Sequence, residues 1–348
     1  MKEIVKLTSD LIKFQTTKEN PKELQRCVDY VAKQLPKRLH ITKGINKGKP
    51  YIIASVKKTK KPKLLLEGHL DVVEAEPGDF KPKVKGKKLY GRGSYDMKSG
   101  CAIAIQLLKE EKEKDIALML TTDEEIGGED GVGHLYKQWN PRLVIATEPS
   151  NYEITIKNKG ILWLKVTAKG KAGHGSTPWN GENAIDKLMD KYQKIKKMFP
   201  KPNKKRWTAT LNLGWIKSGE AYNKVPAEAE MGLDIRYTEH DDVNKIIKKI
   251  RNLKGIKVET PQKQPMRITD IKEPHMQKLK KVFEKVTKKK ARFKSTTGGS
   301  DTRFFAGKGI VTTDFGVKGK NLHAPNEWAD IKSMGTVYKI LKEFIKTL

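Results

Sequence analysis

The sequence predicts an α/β protein: a doubly wound, mainly parallel sheet, with a ferredoxin-like βαββαβ domain inserted into it. Three observations carry this. Continuous apolar runs at residues 64–66, 116–122 and 143–147 alternate with helical periodicity, the pattern of strands buried on both faces. Between residues 160 and 260 the order changes to strand, helix, strand, strand, helix, strand. A length of 348 residues also exceeds one ordinary core, so two domains are expected. The boundaries read as 1–158 for the first part of the sheet domain, 159–267 for the insertion, and 268–348 for the return.

The elements follow in order. Ile4, Leu7, Leu11 and Phe14 fall near helical spacing. A second helix starts at Asn20, a capping residue, with Pro21 in the first turn and Glu23 at the capping-box position. Strands are expected at 51–55 and 64–67, a helix at 99–108, strands at 116–122 and 143–147, and a short helix near Leu135 between them. The insertion supplies strands at 161–168, 208–216, 229–237 and 256–260, with helices at 183–198 and 243–253. The return supplies a helix at 276–287, a glycine-rich turn at 298–301, a strand at 310–314 and a last helix at 331–345.

The formal net charge of +31 would attract anionic surfaces. Most of the excess is lysine mixed with glutamate, as in residues 109–114, which reads as a surface bias rather than a nucleic-acid face built on clustered arginine and aromatics. Against this background Arg236 and Arg303 stand out as planar, bidentate donors. Cys27 and Cys101 are too few for a disulfide framework and read as reduced thiols. The N-terminus lacks an apolar core of signal-peptide length, and no later run is long enough to span a bilayer, so a cytoplasmic protein is expected.

The chemistry concentrates at predicted strand ends, where sites form in doubly wound sheets. His69 and Asp71 follow the apolar run 64–66, the placement of a metal ligand and its orienting carboxylate. Asp96 lies in the glycine-containing stretch 91–100, where an aspartate can bridge two ions about 3.5–4 Å apart. Glu124 and Glu125 end the run 116–122; on extended backbone they would point apart, one toward metal and one toward water. Glu148 ends the run 143–147, and His323 lies in the late loop. Two histidines, an aspartate and two or three glutamates suit a pair of divalent ions, most naturally zinc.

These motifs, in this order, resemble the dinuclear zinc amidohydrolases that include succinyl-diaminopimelate desuccinylase, acetylornithine deacetylase, aminoacylase and glutamate carboxypeptidase. The match covers Gly68-His69-Leu70-Asp71, residues 91–98, residues 122–127, Thr147-Glu148-Pro149 and residues 323–327. The resemblance implies that His69, Asp96 and Glu148 bind one ion, and that Asp96, Glu125 and His323 bind the other. Zinc is expected, with cobalt as the substitute. It further implies that Asp71 orients His69, that Glu124 is the general base, and that the bond after Asp96 is cis. His174, in residues 171–178, matches a histidine that reaches a partner subunit's site and stabilises the oxyanion. Asn223 and Arg236 match substrate contacts, and Gly298, Gly299 and Arg303 match a further substrate loop. Arg236 and Arg303 also fit structural ion pairs.

The implied activity is hydrolysis of the amide of an N-acyl amino acid or short peptide by a homodimer formed through the insertion. Two rival readings remain: a metal-binding relative without hydrolytic activity, and a basic protein that binds anionic surfaces or nucleic acid.

Overall fold

Four parallel strands lie side by side at the centre of the larger sheet, and their common C-terminal edge is what the rest of that unit supports. The structure is a computed structural model and describes residues 1–201 and 206–348. The chain divides into two units: residues 1–158, 267–296 and 300–348 form the larger, and residues 159–266 with 297–299 the smaller.

The central strands are Ile116–Thr121, Leu64–His69, Leu143–Ala146 and Val311–Asp314, neighbours in that order and all parallel. Side chains alternate between faces, and the burial pattern follows. Leu64 and Leu66 enter a core with helices Lys2–Ile12, Pro21–Gln34, Lys98–Glu110, Pro274–Thr287 and Ile331–Lys346. Leu65 enters a second core with Val132, Trp139, Phe304 and Phe305. Helices therefore cover both faces. The helix Lys98–Glu110 approaches the strand ends so closely that a Cβ on Gly100 would meet the Thr147 carbonyl at 2.3 Å.

The flanks differ from the sequence expectation of a mainly parallel sheet. On one side the hairpin His40–Asn46/Lys49–Ser55 adds antiparallel strands, its turn made by Lys47 at φ 43° and Gly48 at φ 78°. Two positive φ values suit a tight hairpin, but lysine at the first position conceals the signal, and only residues 51–55 read as strand. On the other side Ile154–Asn158 pairs antiparallel with Arg267–Ile268 and parallel with Phe293–Thr296. A separate small sheet of Gly319–Lys320, Trp328–Asp330, Lys88–Tyr90 and Lys83–Lys85 has strands too short to give a period.

The smaller unit is a four-stranded antiparallel sheet with the spatial order Thr210–Ser218, Glu228–Tyr237, Gly160–Lys169, Ile256–Gln264. Helices Ala184–Lys196 and Val243–Arg251 share one core with its inward residues, among them Leu162, Leu164, Leu233 and Ile235. Among the described residues no helix is long and apolar enough to cross a membrane.

The chain leaves the larger unit after Asn158 and re-enters at Arg267, and these two residues are tied together. Arg267 is fully buried; its Nε donates to Asn158 Oδ1 at 2.6 Å, Nη2 donates to the same oxygen, and Nη2 also donates to Asp314 Oδ2 at 2.7 Å. Asp314 Oδ1 in turn accepts from Ser300 Oγ at 2.9 Å and Thr302 Oγ1 at 3.1 Å. Removing one partner of a buried ion pair leaves an uncompensated charge, at a cost of about 3–5 kcal/mol. Arg267→Ala is therefore expected to destabilise the larger unit by that amount in urea unfolding, and a change below about 1 kcal/mol would show the pair to be dispensable.

Candidate active site

Because the central strands are parallel, their carboxyl ends share one edge, and the side chains that follow them meet. His69 ends its strand opposite Thr121. Glu148 follows Leu143–Ala146 by two residues, and Glu124 and Glu125 follow Ile116–Thr121. Asp96 and His323 come from loops. Each histidine lies against a different oxygen of Asp96: His69 Nε2 is 3.3 Å from Oδ1, and His323 Nε2 is 3.1 Å from Oδ2. Glu148 Oε1 is 3.9 Å from His69 Nε2, and Glu125 Oε2 is 3.1 Å from His323 Nε2.

Each of these groups is held from behind. His69 Nδ1 donates to the carbonyl oxygen of Asp71 at 3.0 Å, with Asp71 Oδ1 at 3.5 Å, which turns Nε2 toward Asp96. Asp71 Oδ2 accepts from Glu125 N at 3.0 Å, so one aspartate orients two of the groups. The Asp96 loop is gripped by Glu327, which accepts from Arg92 Nη1 at 2.7 Å, Gly93 N at 3.0 Å, Tyr95 N at 2.7 Å and Asp96 N at 3.0 Å. The Asp96–Met97 peptide is cis. His323 adopts φ 57° on a half-exposed loop.

Glu124 and Glu125 diverge, though not by the geometry expected. They lie in one 3-10 turn, Glu124–Ile126, and not on extended backbone. Asp123, which accepts from Asp130 N and Gly131 N at 2.9 and 2.8 Å, orders the loop that follows. Glu125 faces His323, while Glu124 Oε1 lies 3.9 Å from Arg303 Nη1.

Burial opposes a charge on His69, but the carboxylates of Asp71, Asp96 and Glu148 outweigh it and hold its pKa well above the ordinary value. Bonds to Asp96 and Glu125 push His323 up to about 10. Burial alone would raise Asp96, yet the two imidazoles hold it below the usual carboxylate range. Glu124 and Glu148 are pushed well above that range, by burial first and by neighbouring carboxylates next. Glu67, on the face of the strand shared with His69, is buried with no hydrogen bond to either oxygen, and burial lifts it to about 8.

The donor set fits a pair of divalent ions. Ligand atoms of His69, Asp96 and Glu125 all lie within 4.8 Å of one another. Atoms around a tetrahedral ion with bonds of about 2.0–2.1 Å are about 3.3 Å apart, close to the 3.1–3.9 Å spacings found here. Asp96 offers one oxygen to each side, as a bridging carboxylate must.

The remaining sequence candidates divide between the units. In the smaller unit His174 pairs with Lys224 across a short antiparallel bridge, and Gly175 N donates to Asn223 O at 2.7 Å, so the segments around His174 and Asn223 adjoin. Ser176 N donates to His174 Nδ1 at 3.2 Å, which leaves Nε2 to carry the proton of the neutral ring. Arg236 donates through Nε and Nη2 to Asp234 at 2.9 and 3.2 Å. Gly298 and Gly299 are exposed. Arg303, in the larger unit, is buried against Asp301 and Gly127.

Sequence reasoning missed Glu327, Asp301 and Glu67 as functional neighbours. The one signal for Glu67 is an acid at the end of an apolar run; Glu327 and Asp301 sit inside motifs whose other residues drew the assignment.

The model of peptidase family M20/M25/M40 matches residues 65–347. The chain belongs to this family. It is a metal-dependent hydrolase. Succinyl-diaminopimelate desuccinylase of Nitratiruptor sp. is 28% identical over 307 residues, covering 82% of this chain and 84% of that protein. An uncharacterized metallohydrolase of Methanocaldococcus jannaschii is 26% identical, with 99% of each chain covered. In fold, the chain is similar to an M20 family metallo-carboxypeptidase of Sulfolobus solfataricus, with a TM-score of 0.83, 19% identity and 99% of each chain covered.

Metal binding requires neutral imidazole, whereas the hydrogen bonds to Asp96 and Glu125 push the His323 pKa up to about 10 and favour its charged form. Adding zinc or cobalt to metal-free protein at pH 7 in weak buffer is expected to release at least about one proton per chain, and affinity should rise with pH between about 6 and 8. Binding without proton release would contradict this arrangement.

Proposed function

We propose that this chain is a two-metal amidohydrolase that cleaves the amide bond of an N-acyl amino acid or short peptide and releases a free amine. The observation that carries the reading is the Asp96 carboxylate, one oxygen facing His69 and the other facing His323. His69, Asp96 and Glu148 would hold one ion, and Asp96, Glu125 and His323 the other. Zinc suits this nitrogen and oxygen donor set, with cobalt as a functional substitute. Bound there, the ions would supply polarisation of the scissile carbonyl and a water of lowered pKa.

The chain's own groups do the rest. Glu124 takes a proton from the attacking water and delivers it to the leaving nitrogen. A carboxyl whose pKa burial raises is suited to both steps, because it holds a proton more readily than an exposed glutamate does. Asp71 keeps His69 in the tautomer that presents Nε2. His174 offers an Nε2 proton to the oxyanion, Asn223 and Arg236 contact the substrate, and the backbone at Gly298 and Gly299 faces its carboxylate. His174 acts across a homodimer formed through residues 159–267. Likeness to a desuccinylase and to a metallo-carboxypeptidase supports the substrate class.

Glu124→Gln keeps the shape of the side chain and removes the proton acceptor. On a panel of N-acetyl and N-succinyl amino acids, dipeptides and tripeptides, zinc- or cobalt-loaded protein should turn over at least one member. Glu124→Gln should lower kcat by about 10²- to 10⁴-fold with bound metal unchanged. Wild-type activity in that variant would overturn the assignment of the base.

A further inference from the structure

An arginine beside an amide-cleaving site ordinarily reads as a donor for a substrate carboxylate. The surroundings of Arg303 argue for another use. Its side chain is 3% exposed, and both Nε and Nη1 are out of contact with solvent. Nη2 donates to the carbonyl oxygen of Gly127 at 2.7 Å. Nη1 lies 3.1 Å from Asp301 Oδ1 and 3.9 Å from Glu124 Oε1, and the guanidinium carbon stands 4.6 Å from the centre of the Phe304 ring.

The protein groups it faces belong to the turn that carries the base. Gly127 closes the Glu124–Ile126 turn, its N donating to Glu124 O at 2.9 Å. Gly128 follows at φ +66°, and a Cβ there would meet Asp301 Oδ1 at 2.1 Å, so the turn lies directly against the Asp301 carboxylate. Asp301 is fully buried, and neither of its oxygens receives a hydrogen bond from the described residues. Arg303 is its one partner among the described ion pairs. One side of the ion pair thus fits the glycine of the turn, and the other holds the turn's last carbonyl while presenting Nη1 to the base.

We propose that Arg303, oriented by Asp301, is a positioning residue that fixes the Glu124 carboxylate by gripping its turn, and that it does not bind substrate. This rests on the reading of Glu124 as general base. A misplacement of about 1 Å at a reacting group lowers rate by about 10²-fold without weakening substrate binding to match. The grip therefore acts on kcat.

The experiment is a double-variant cycle on the metal-loaded enzyme, using one acyl-amino acid or dipeptide that the wild type turns over. Arg303→Met should lower kcat by about 10- to 100-fold with KM within about 3-fold and the metal content of the wild type. Arg303→Lys, which returns a charge without the fork, should recover part of the loss. In a Glu124→Gln background, where there is no base left to aim, Arg303→Met should change kcat by less than about 3-fold.

A raised KM with kcat retained would overturn the proposal in favour of substrate binding. Equal losses in the two backgrounds would also overturn it, because Arg303 would then act independently of Glu124. Should Arg303→Met fail to fold or to hold metal, Arg303→Lys carries the same comparison. Full activity of Glu124→Gln by itself is a separate result, which overturns the base assignment beneath the proposal.

Discussion

The constraint on which this structure depends is an excess of buried negative charge at the carboxyl edge of the central sheet. Asp96, Glu124, Glu125 and Glu148 converge there, with Glu67, Asp71, Asp123 and Asp301 close behind. Facing them are two imidazoles and Arg303. Buried charges are tolerated only when paired or when coordinating metal. Left to the chain's own groups, that requirement raises the pKa of both histidines, through the carboxylates beside them, and of Glu124 and Glu148, through burial. Two divalent ions would meet it instead. The +31 charge of the chain does not relieve the imbalance, because it is carried largely by lysines, and exposed charges are screened within about 10 Å.

Such a site holds its shape only if each group is fixed from behind. The fold meets this in layers. Parallel pairing of Ile116–Thr121, Leu64–His69 and Leu143–Ala146 sets the spacing of the strand ends. A second layer of hydrogen bonds sets orientation: Asp71 O on His69, Asp71 Oδ2 on Glu125 N, and the Glu327 carboxylate across one side-chain and three backbone donors of the Asp96 loop. Cys101 Sγ donates to His69 O from the helix beneath, so a residue with no chemistry of its own still braces His69.

Much of this was legible in the sequence, for reasons that can be stated residue by residue. Buried parallel strands must be continuously apolar, so residues 64–66, 116–122 and 143–147 declare themselves, and a polar residue at the end of such a run is conspicuous. His69, Glu124 and Glu148 were found that way. Asp96 and His323 lie in loops with no period, and only the order of the motifs identified them. The hairpin at residues 40–55 was half read because Lys47 occupies a left-handed position that usually takes asparagine, aspartate or glycine. Glu327 and Asp301 were passed over because sequence shows which acids are present but not which are aimed at backbone amides or at an arginine. The turn of Glu124 and Glu125 was misjudged as extended because Asp123, which orders the loop after it, acts through contacts seven and eight residues away.

The central claim is that one carboxylate, Asp96, joins two ion sites. Metal content after zinc loading and removal of excess tests it directly, compared among the wild type, Asp96→Ala, Glu148→Ala and Glu125→Ala. The account predicts two ions per chain in the wild type, one retained in each outer-ligand variant, and neither held tightly in Asp96→Ala. A wild type that binds a single ion, or an Asp96→Ala protein that keeps two, would contradict it.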